Sequence, residues 1–319
     1  MRTPALILLL LSLVCIVGGA QQPQTGKPPA IPAQEPQSPP PVGTITATVD
    51  IVNVVFTVQD DEGRFVQDLG RNEFHILDNN KPPREITSFE AQTGLPLRIG
   101  LLIDASNSIR DRFQFEQQAA TEFLQQTLAP ATDKAMVEAF DEQYEVVQDF
   151  TNNLDKLSSS IRTISPGGST ALWDAVYYMC REKLLKQQES GPVRNVIVLI
   201  SDGNDTQSHV FRQEAIDMAQ RAGATIYTVS TGLGFSRSEG DGNLRILAEA
   251  TGGQAFFPAQ VREVEESFVH IQHELRSQYS VSYKPDNFLP NGQYRTISIK
   301  AAHNGLKVRS KKGYYARKQ

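Results

Sequence analysis

The chain has 319 residues, a length that corresponds to about two domains. Hydrophobic residues make up 39% and charged residues 21%, which is the composition of a soluble globular protein with a sizeable core. The formal net charge is −5, and no basic stripe is interleaved with aromatic residues, so nucleic acid is excluded as the expected partner.

The N-terminus is typical of a secretory signal. A positively charged first pair of residues is followed by an almost unbroken apolar run at 5–17 and by small residues at 18–20. We predict that residues 1–20 are a signal peptide, because the apolar run is too short to span a bilayer comfortably. The mature protein is then secreted, or held in the periplasm or cell envelope, without an integral membrane span. Cleavage removes Cys15, so the mature chain retains one cysteine, Cys180, which excludes a disulfide framework within it.

Two segments of different character follow. Residues 21–43 are rich in Pro and Gln with almost no large apolar side chains, which predicts a disordered linker. Residues 44–94 form a predicted β segment, because 45–58 is dense in β-branched residues. Shorter strands are predicted at 74–77 and 85–89.

Residues 95–277 alternate predicted strands with predicted helices, which indicates a mostly parallel sheet with helices on both faces. The apolar runs 97–103 and 193–200 are typical of strands buried on both faces. The other predicted strands are 135–140, 145–150 and 225–230, and the predicted helices are 111–128, 154–164, 171–187, 211–222, 244–250 and 261–278.

Residues 278–319 return to short predicted strands, at 279–283, 293–301 and 306–309. Small sheets bury too little surface to be stable alone, so we expect about four N-terminal strands and about three C-terminal strands to pair. The predicted fold is α/β, with a Rossmann-like module inserted between the two halves of a small β-sandwich.

Polar clusters stand where strands of the predicted sheet end. Asp104, Ser106 and Ser108 follow the first strand, Thr170 follows a Gly-Gly turn, and Asp202 follows the second buried strand. Ligands of open α/β sheets bind outside the carboxyl ends of the strands. The clusters offer carboxylate and hydroxyl oxygens and include no His or Cys. This donor set suits a hard divalent cation, Mg²⁺, Mn²⁺ or Ca²⁺.

The order Asp104-x-Ser106-x-Ser108, then Thr170, then Asp202 before a glycine, resembles the metal-ion-dependent adhesion site of von Willebrand factor type A (VWA) domains. The resemblance extends through the α/β module. The flanking strands and the closing Lys-Lys-Gly-Tyr-Tyr-Ala are similar to the VWFA-related proteins described from Acidobacteria.

The resemblance implies a role for each of the five residues. Ser106 and Ser108 bind the ion directly, Thr170 binds it directly or through water, and Asp104 and Asp202 bind it mostly through water. The open coordination position takes a Glu or Asp side chain from a partner protein. We therefore expect a metal-dependent, adhesion-like binding module that uses Mg²⁺.

Enzymatic function is the main alternative. The sequence contains no Gly-x-Ser-x-Gly elbow and no phosphate-binding loop, and its 5 histidines are scattered. We therefore predict that the protein is not an enzyme. A metal-dependent enzyme of unknown substrate and an assembly scaffold in the cell envelope are kept as alternative functions.

Capping and loop roles are the alternatives to metal binding for individual residues. Taken one at a time, Asp104, Ser106 and Ser108 fit a helix N-cap or ordinary loop polarity. Asp111 lies between two arginines, and we interpret it as a helix N-terminal charge, not a ligand of a second ion. Asp205 and Asp241 are likewise interpreted as loop or capping residues.

Overall fold

The computed structural model of the chain describes residues 51–316 apart from 92–93, 111, 130, 188–190 and 233–237. The predicted signal peptide and linker lie outside the described residues. The described part contains a six-stranded sheet with helices on both faces and two antiparallel sheets that share a separate core. The predicted fold class, an α/β module with a small β-sandwich, is confirmed.

The strands, in chain order, are β1 (Val52–Gln59), β2 (Phe74–Asp78), β3 (Glu85–Glu90), β4 (Leu97–Asp104), β5 (Lys134–Phe140), β6 (Tyr144–Thr151), β7 (Arg194–Ser201), β8 (Thr225–Ser230), β9 (Ala255–Phe256), β10 (Tyr279–Lys284), β11 (Tyr294–Ala301), β12 (Lys307–Ser310) and β13 (Gly313–Tyr315). The helices are α1 (Phe113–Thr127), α2 (Leu154–Thr163), α3 (Leu172–Tyr178), α4 (Arg212–Arg221), α5 (Glu239–Thr251) and α6 (Val261–Arg276). Helix α3 continues as a π-helical segment over Met179–Leu184, and a 3₁₀ turn spans Asn107–Ile109.

The central sheet has the strand order β6-β5-β4-β7-β8-β9, and only its edge strand β6 runs antiparallel. Strand β4 is buried along its whole length, as expected for a strand with helices on both sides. Asp104 at its end lies opposite Phe140 of β5, and the adjacent Ile103 lies opposite Ile200 of β7. The loops that leave β4, β5 and β7 therefore emerge at the same edge.

The two faces of the sheet carry separate hydrophobic cores. Helices α1, α2 and α6 cover one face, where the rings of Phe123 and Phe268 lie 5.3 Å apart. Helices α3, α4 and α5 cover the other face, where Leu172, Ile216 and Leu244 are buried. Helices α2 and α4 each bury one stripe of residues, as amphipathic helices do, whereas α3 is buried at five consecutive residues, 172–176.

The sandwich is built from both ends of the described chain. One sheet has the order β12-β1-β10-β3 and the other has the order β13-β11-β2. Between the sheets, the ring of Phe56 on β1 stacks on Tyr279 at 5.2 Å and meets Phe74 of the second sheet at 5.0 Å. The predicted pairing of N-terminal with C-terminal strands is confirmed.

The element count differs in detail from the sequence prediction. Within the described residues, three strands precede the α/β module and four follow it. Strands β9 and β13 are too short to produce a periodic pattern, and pairing with neighbours defines them. Helix α5 begins five residues earlier than predicted, because Ser238 and Asp241 form a capping box that offsets the poor helix propensity of Gly240 and Gly242.

A buried carboxylate ties the two sheets of the sandwich together. Asp78 on β2 is 1% exposed and accepts hydrogen bonds from the hydroxyls of Tyr283 and Tyr314, both at 2.9 Å. The Nε of Arg295 donates a third at 2.7 Å. Burial, together with the adjacent carboxylate, raises the pKa of both tyrosines, so they remain protonated donors.

The sandwich joins the α/β module at the edge opposite the convergent loops. Arg309 of β12 forms an ion pair with Glu274 near the end of α6, and the Tyr227 hydroxyl donates to the same carboxylate at 2.7 Å. The guanidinium of Arg221, the last residue of α4, lies 3.9 Å from the ring centroid of Tyr315. The described contacts of the sandwich thus leave the loop edge free.

One buried acid of the module has an incomplete set of partners. Glu138 on β5 is 1% exposed, and its Oε1 has no hydrogen-bond partner within the described part of the chain. Burial raises the pKa of Glu138 to about 8, and the charge of Lys183 opposes the increase. The folded protein therefore favours the protonated form of this side chain.

Replacement of Asp78 should test the buried network of the sandwich. Asp78→Asn removes a fully buried charge and leaves the part-buried Arg295 without its partner, and we expect it to lower the free energy of unfolding by about 3–5 kcal/mol. Urea denaturation measures the change. Asp61→Asn is the control, because it breaks the exposed Asp61–Lys307 pair at 3.5 Å and should have almost no effect. Equal effects of the two substitutions would contradict the prediction.

Replacement of Glu138 should change the pH dependence of stability. Below its ordinary pKa of 4.5, Glu138 is protonated in both the folded and the unfolded chain. As the pH rises to about 8, the unfolded chain loses this proton while the folded chain retains it, so the free energy of unfolding falls. We expect Glu138→Gln to reduce this fall and to stabilise the protein at pH 8 in urea denaturation. A variant with unchanged pH dependence would argue against this assignment.

Candidate metal centre

Asp104 ends strand β4 and is fully buried. Its Oδ2 accepts a hydrogen bond from the Ser201 hydroxyl at 2.6 Å, and its Oδ1 accepts one from the backbone N–H of Ser106 at 2.9 Å. Burial is the largest influence on Asp104 and raises its pKa to about 6, although both hydrogen bonds oppose this. The negative charge of Asp202 also raises the pKa, so the two carboxylates interact electrostatically.

The two serines of the first loop face each other. The hydroxyl oxygens of Ser106 and Ser108 lie 2.9 Å apart and share a hydrogen bond. Ser106 is 2% exposed, whereas Ser108 is exposed. Ser106 occupies the N-cap position of a 3₁₀ turn, but its side chain makes no capping hydrogen bond. The N-cap alternative therefore does not account for this hydroxyl.

The second loop lies directly against the first. The N–H of Gly167 donates to the carbonyl of Ala105 at 2.6 Å, and the carbonyl of Gly168 accepts from both the N–H and the Nδ2 of Asn107 at 3.3 Å. Gly168 has a φ of +74°, and a Cβ at this position would lie 3.0 Å from the Asp141 carboxylate. A glycine here permits the positive φ and the close approach of Asp141, which directly follows β5.

Thr170 connects the second loop to the third. Its carbonyl accepts hydrogen bonds from the N–H groups of Thr206 at 2.8 Å and Gln207 at 3.0 Å. Its own N–H donates to the Thr206 hydroxyl at 3.1 Å. Thr170 is 6% exposed, so these contacts hold a largely buried side chain at the junction of the loops.

The third loop carries Asp202, which is half-buried and accepts a hydrogen bond from the N–H of Asn204 at 2.9 Å. Gly203 has a φ of +78°, and its N–H donates to the Ser201 hydroxyl at 3.0 Å. A Cβ on Gly203 would lie 2.2 Å from the carbonyl oxygen of Gly240. Only glycine permits this backbone contact, which positions the loop beside the start of α5.

The donor geometry fits a small hard cation. Adjacent ligands of an octahedral Mg²⁺ ion with bonds of 2.0–2.1 Å are about 2.8–3.0 Å apart. The Ser106 and Ser108 oxygens are joined by a hydrogen bond of 2.9 Å, and this separation matches two adjacent ligands of such an ion. Among the described residues, no group of three or more His, Cys, Asp or Glu is placed to hold a metal, so an ion at this edge would need hydroxyl ligands as well.

The neighbouring acids have structural contacts. Asp205 accepts hydrogen bonds from the N–H of Leu172 at 2.9 Å and from the Ser208 hydroxyl at 2.5 Å, at the start of α3. Asp241 belongs to the capping box of α5. Both match the loop and capping roles expected from sequence, whereas Asp111 lies outside the described residues.

Sequence reasoning missed the residues that position the ligands. Ser201 holds the Asp104 carboxylate, and Asn107 holds the Gly-Gly turn. Pairing of β4 with β7 would have identified Ser201, since Ile103 and Ile200 are partners and the following residues are therefore neighbours. No sequence signal identifies Asn107, because its role depends on a loop 61 residues away.

Replacement of Gly203 should disrupt the third loop. Gly203→Ala combines an unfavourable positive φ with a backbone clash, and we expect a loss of about 3 kcal/mol or more in free energy of unfolding. The matched control is Gly63→Ala, because Gly63 has a φ of +79° and a Cβ added there would meet no atom within 4 Å. The control should cost about 1–2 kcal/mol. Similar losses for both variants in urea denaturation would refute the packing argument.

Comparison with solved structures finds similar folds at low sequence identity. BatB from Bacteroides thetaiotaomicron is 16% identical, with a TM-score of 0.47 over 56% of this chain and 97% of that chain. Proximal thread matrix protein 1 from the mussel byssus is 14% identical, with a TM-score of 0.49 over 69% of this chain and 50% of that chain. The vWF domain of the type V pili tip protein Mfa5 from Porphyromonas gingivalis is 14% identical, with a TM-score of 0.47 over 56% of this chain and 94% of that chain.

Sequence comparison identifies the family. No curated protein sequence matches the chain significantly. The family model of the von Willebrand factor type A domain matches residues 99–270, which is more than half of the chain. The chain therefore belongs to the von Willebrand factor type A domain family.

Proposed function

We propose that this chain is an exported protein-binding module whose VWA domain uses one divalent cation to hold a carboxylate of a partner protein. The observation that supports this most is the pair of hydroxyl oxygens of Ser106 and Ser108, which are 2.9 Å apart. The loop that carries this pair contacts the Thr170 loop. The carboxylate of Asp104, at the start of the same loop, accepts a hydrogen bond from Ser201, the residue before Asp202.

Each of the five residues has a part in this proposal. Ser106 and Ser108 bind the cation through their hydroxyl oxygens, and Thr170 binds directly or through water. Asp104 and Asp202 act mostly through water. Because neutral hydroxyls predominate among the direct ligands, a bound cation supplies positive charge that an incoming carboxylate can neutralise. The preferred ion is Mg²⁺, with Mn²⁺ and Ca²⁺ as alternatives.

The exposure of the loop edge suits a protein partner. Asp104 is fully buried, whereas Ser108, Asn107 and Thr206 are exposed around it. The sandwich is joined at the opposite edge through Arg309 and Glu274. An acidic side chain on the surface of another protein can therefore approach the exposed serine without displacing a described element.

The location of the protein is proposed from its N-terminal sequence. The charged start, the apolar run and the small residues that end at Ala20 favour export to the periplasm, the cell envelope or the exterior. Across the described residues, none of the helices combines the length and apolarity needed to cross a membrane. The alternatives are a metal-dependent enzyme of unknown substrate and an assembly scaffold in the cell envelope.

Substitution of Thr170 tests the cation site directly. We expect Thr170→Ala to weaken Mn²⁺ binding by about tenfold or more in isothermal titration calorimetry, because a ligand is lost at the junction of the loops. Ser165→Ala is the control, since Ser165 is an exposed residue of the same loop. Mn²⁺ binding that is equal in the wild type and the Thr170 variant would contradict the assignment.

Partner capture tests the binding function separately. The immobilised chain should retain a protein from a native envelope extract in Mg²⁺ and release it in EDTA. The Thr170→Ala variant should fail to retain that protein in either buffer, whereas the Ser165→Ala variant should behave as the wild type. Capture that persists in EDTA would indicate a scaffold that does not use the cation.

A further inference from the structure

Glu116 is a second buried acid of the module with an unsatisfied oxygen. It lies in the first turn of α1, the helix that follows the Asp104–Ser108 loop. The residue is 2% exposed, and its Oε2 has no hydrogen-bond partner within the described part of the chain. Burial of a carboxylate without partners is costly, which suggests that this oxygen has a function.

Helix capping does not explain this burial. Acidic residues in a first turn interact favourably with the helix dipole, but they do so equally well when they are solvated. The backbone N–H of Glu116 donates to the carbonyl of Arg112 at 3.1 Å, and this contact does not involve the carboxylate. The orientation of the side chain into the protein therefore requires another reason.

Position and charge connect Glu116 to the candidate metal centre, since α1 begins at Phe113, five residues after Ser108. Burial is the main cause that raises the pKa of Glu116 to about 7. The carboxylates of Asp104 and Asp202 raise it further, and Arg112 opposes the increase. Three acids thus interact in one region, two of them almost fully buried. Such convergence of like charge is unfavourable for an apoprotein and favourable for a bound cation.

We propose that Glu116 is an outer carboxylate of the cation site, which accepts a hydrogen bond from a water molecule bound to the ion. This inference rests on the proposed function. An outer position is assigned because no three acids of the described chain are placed to share an ion directly. Second-layer groups of this kind orient the ligands of a metal and increase its affinity.

The test compares two buried acids, of which Glu116 is affected by the charges of Asp104 and Asp202 and Glu138 by the charge of Lys183. Glu116→Gln and Glu138→Gln each remove the charge from a buried side chain that has an unpartnered oxygen. Glu138 belongs to β5, and Lys183 is the charged residue that affects it. We expect Glu116→Gln to weaken Mn²⁺ binding by about tenfold or more, with no change for Glu138→Gln. Calorimetry measures the affinity, and urea denaturation in EDTA checks that both variants are folded.

The outcomes separate this inference from the proposed function. If the wild type and the Glu116→Gln variant bind Mn²⁺ equally while Thr170→Ala binds weakly, Glu116 is only a structural acid and the proposed function survives. If the wild type binds no Mn²⁺, both proposals fail. Glu116→Met is a second charge-free variant, and it should show the same loss of affinity if Glu116→Gln proves unstable.

Discussion

The hydrogen bond between the Ser201 hydroxyl and the buried carboxylate of Asp104 is the contact on which the candidate site depends. It joins the ends of two adjacent parallel strands at 2.6 Å. The same serine accepts the N–H of Gly203, and the same carboxylate accepts the N–H of Ser106. Two loops that are distant in sequence are therefore positioned by one pair of side chains. A change at either residue would displace candidate ligands on both strands.

The electrostatic character of this edge follows from burial. Asp104 is fully buried and Glu116 nearly so, and burial raises the pKa of both carboxyl groups. Without a cation, these raised pKa values make the fold less stable as the pH rises from the ordinary pKa of each carboxyl group to its folded-state value. A divalent ion held at this edge, as proposed above, would oppose this effect, because it would favour the ionised carboxylates. The cost of burying these carboxylates and the proposed affinity for a cation would thus have the same physical origin.

The sandwich lies on one side of the VWA module, and the loops of the candidate site lie at the opposite edge. In the sandwich, the Asp78 carboxylate accepts hydrogen bonds from residues on three strands and stabilises the contact between two small sheets. Arg309 and Glu274 then connect the sandwich to the last helix of the module. Because this connection lies opposite the loops, the sandwich supports the module without contributing described residues to the candidate site. Parallel strands make this division possible, since all their carboxyl ends meet at one edge.

The sequence by itself determined the elements whose signals are local. Continuous apolar runs predicted the central strands, β-branched runs predicted the sandwich strands, and the order of five polar residues predicted which loops carry the candidate ligands. Long-range contacts were decided only by the tertiary structure. The partner of Asp104 is 97 residues away, Glu116 looks like an ordinary first-turn acid until its burial is known, and β13 exists only through its pairing with β11. Periodicity reports the conformational preference of neighbouring residues, whereas burial and hydrogen bonding between distant residues are set by how the whole chain packs.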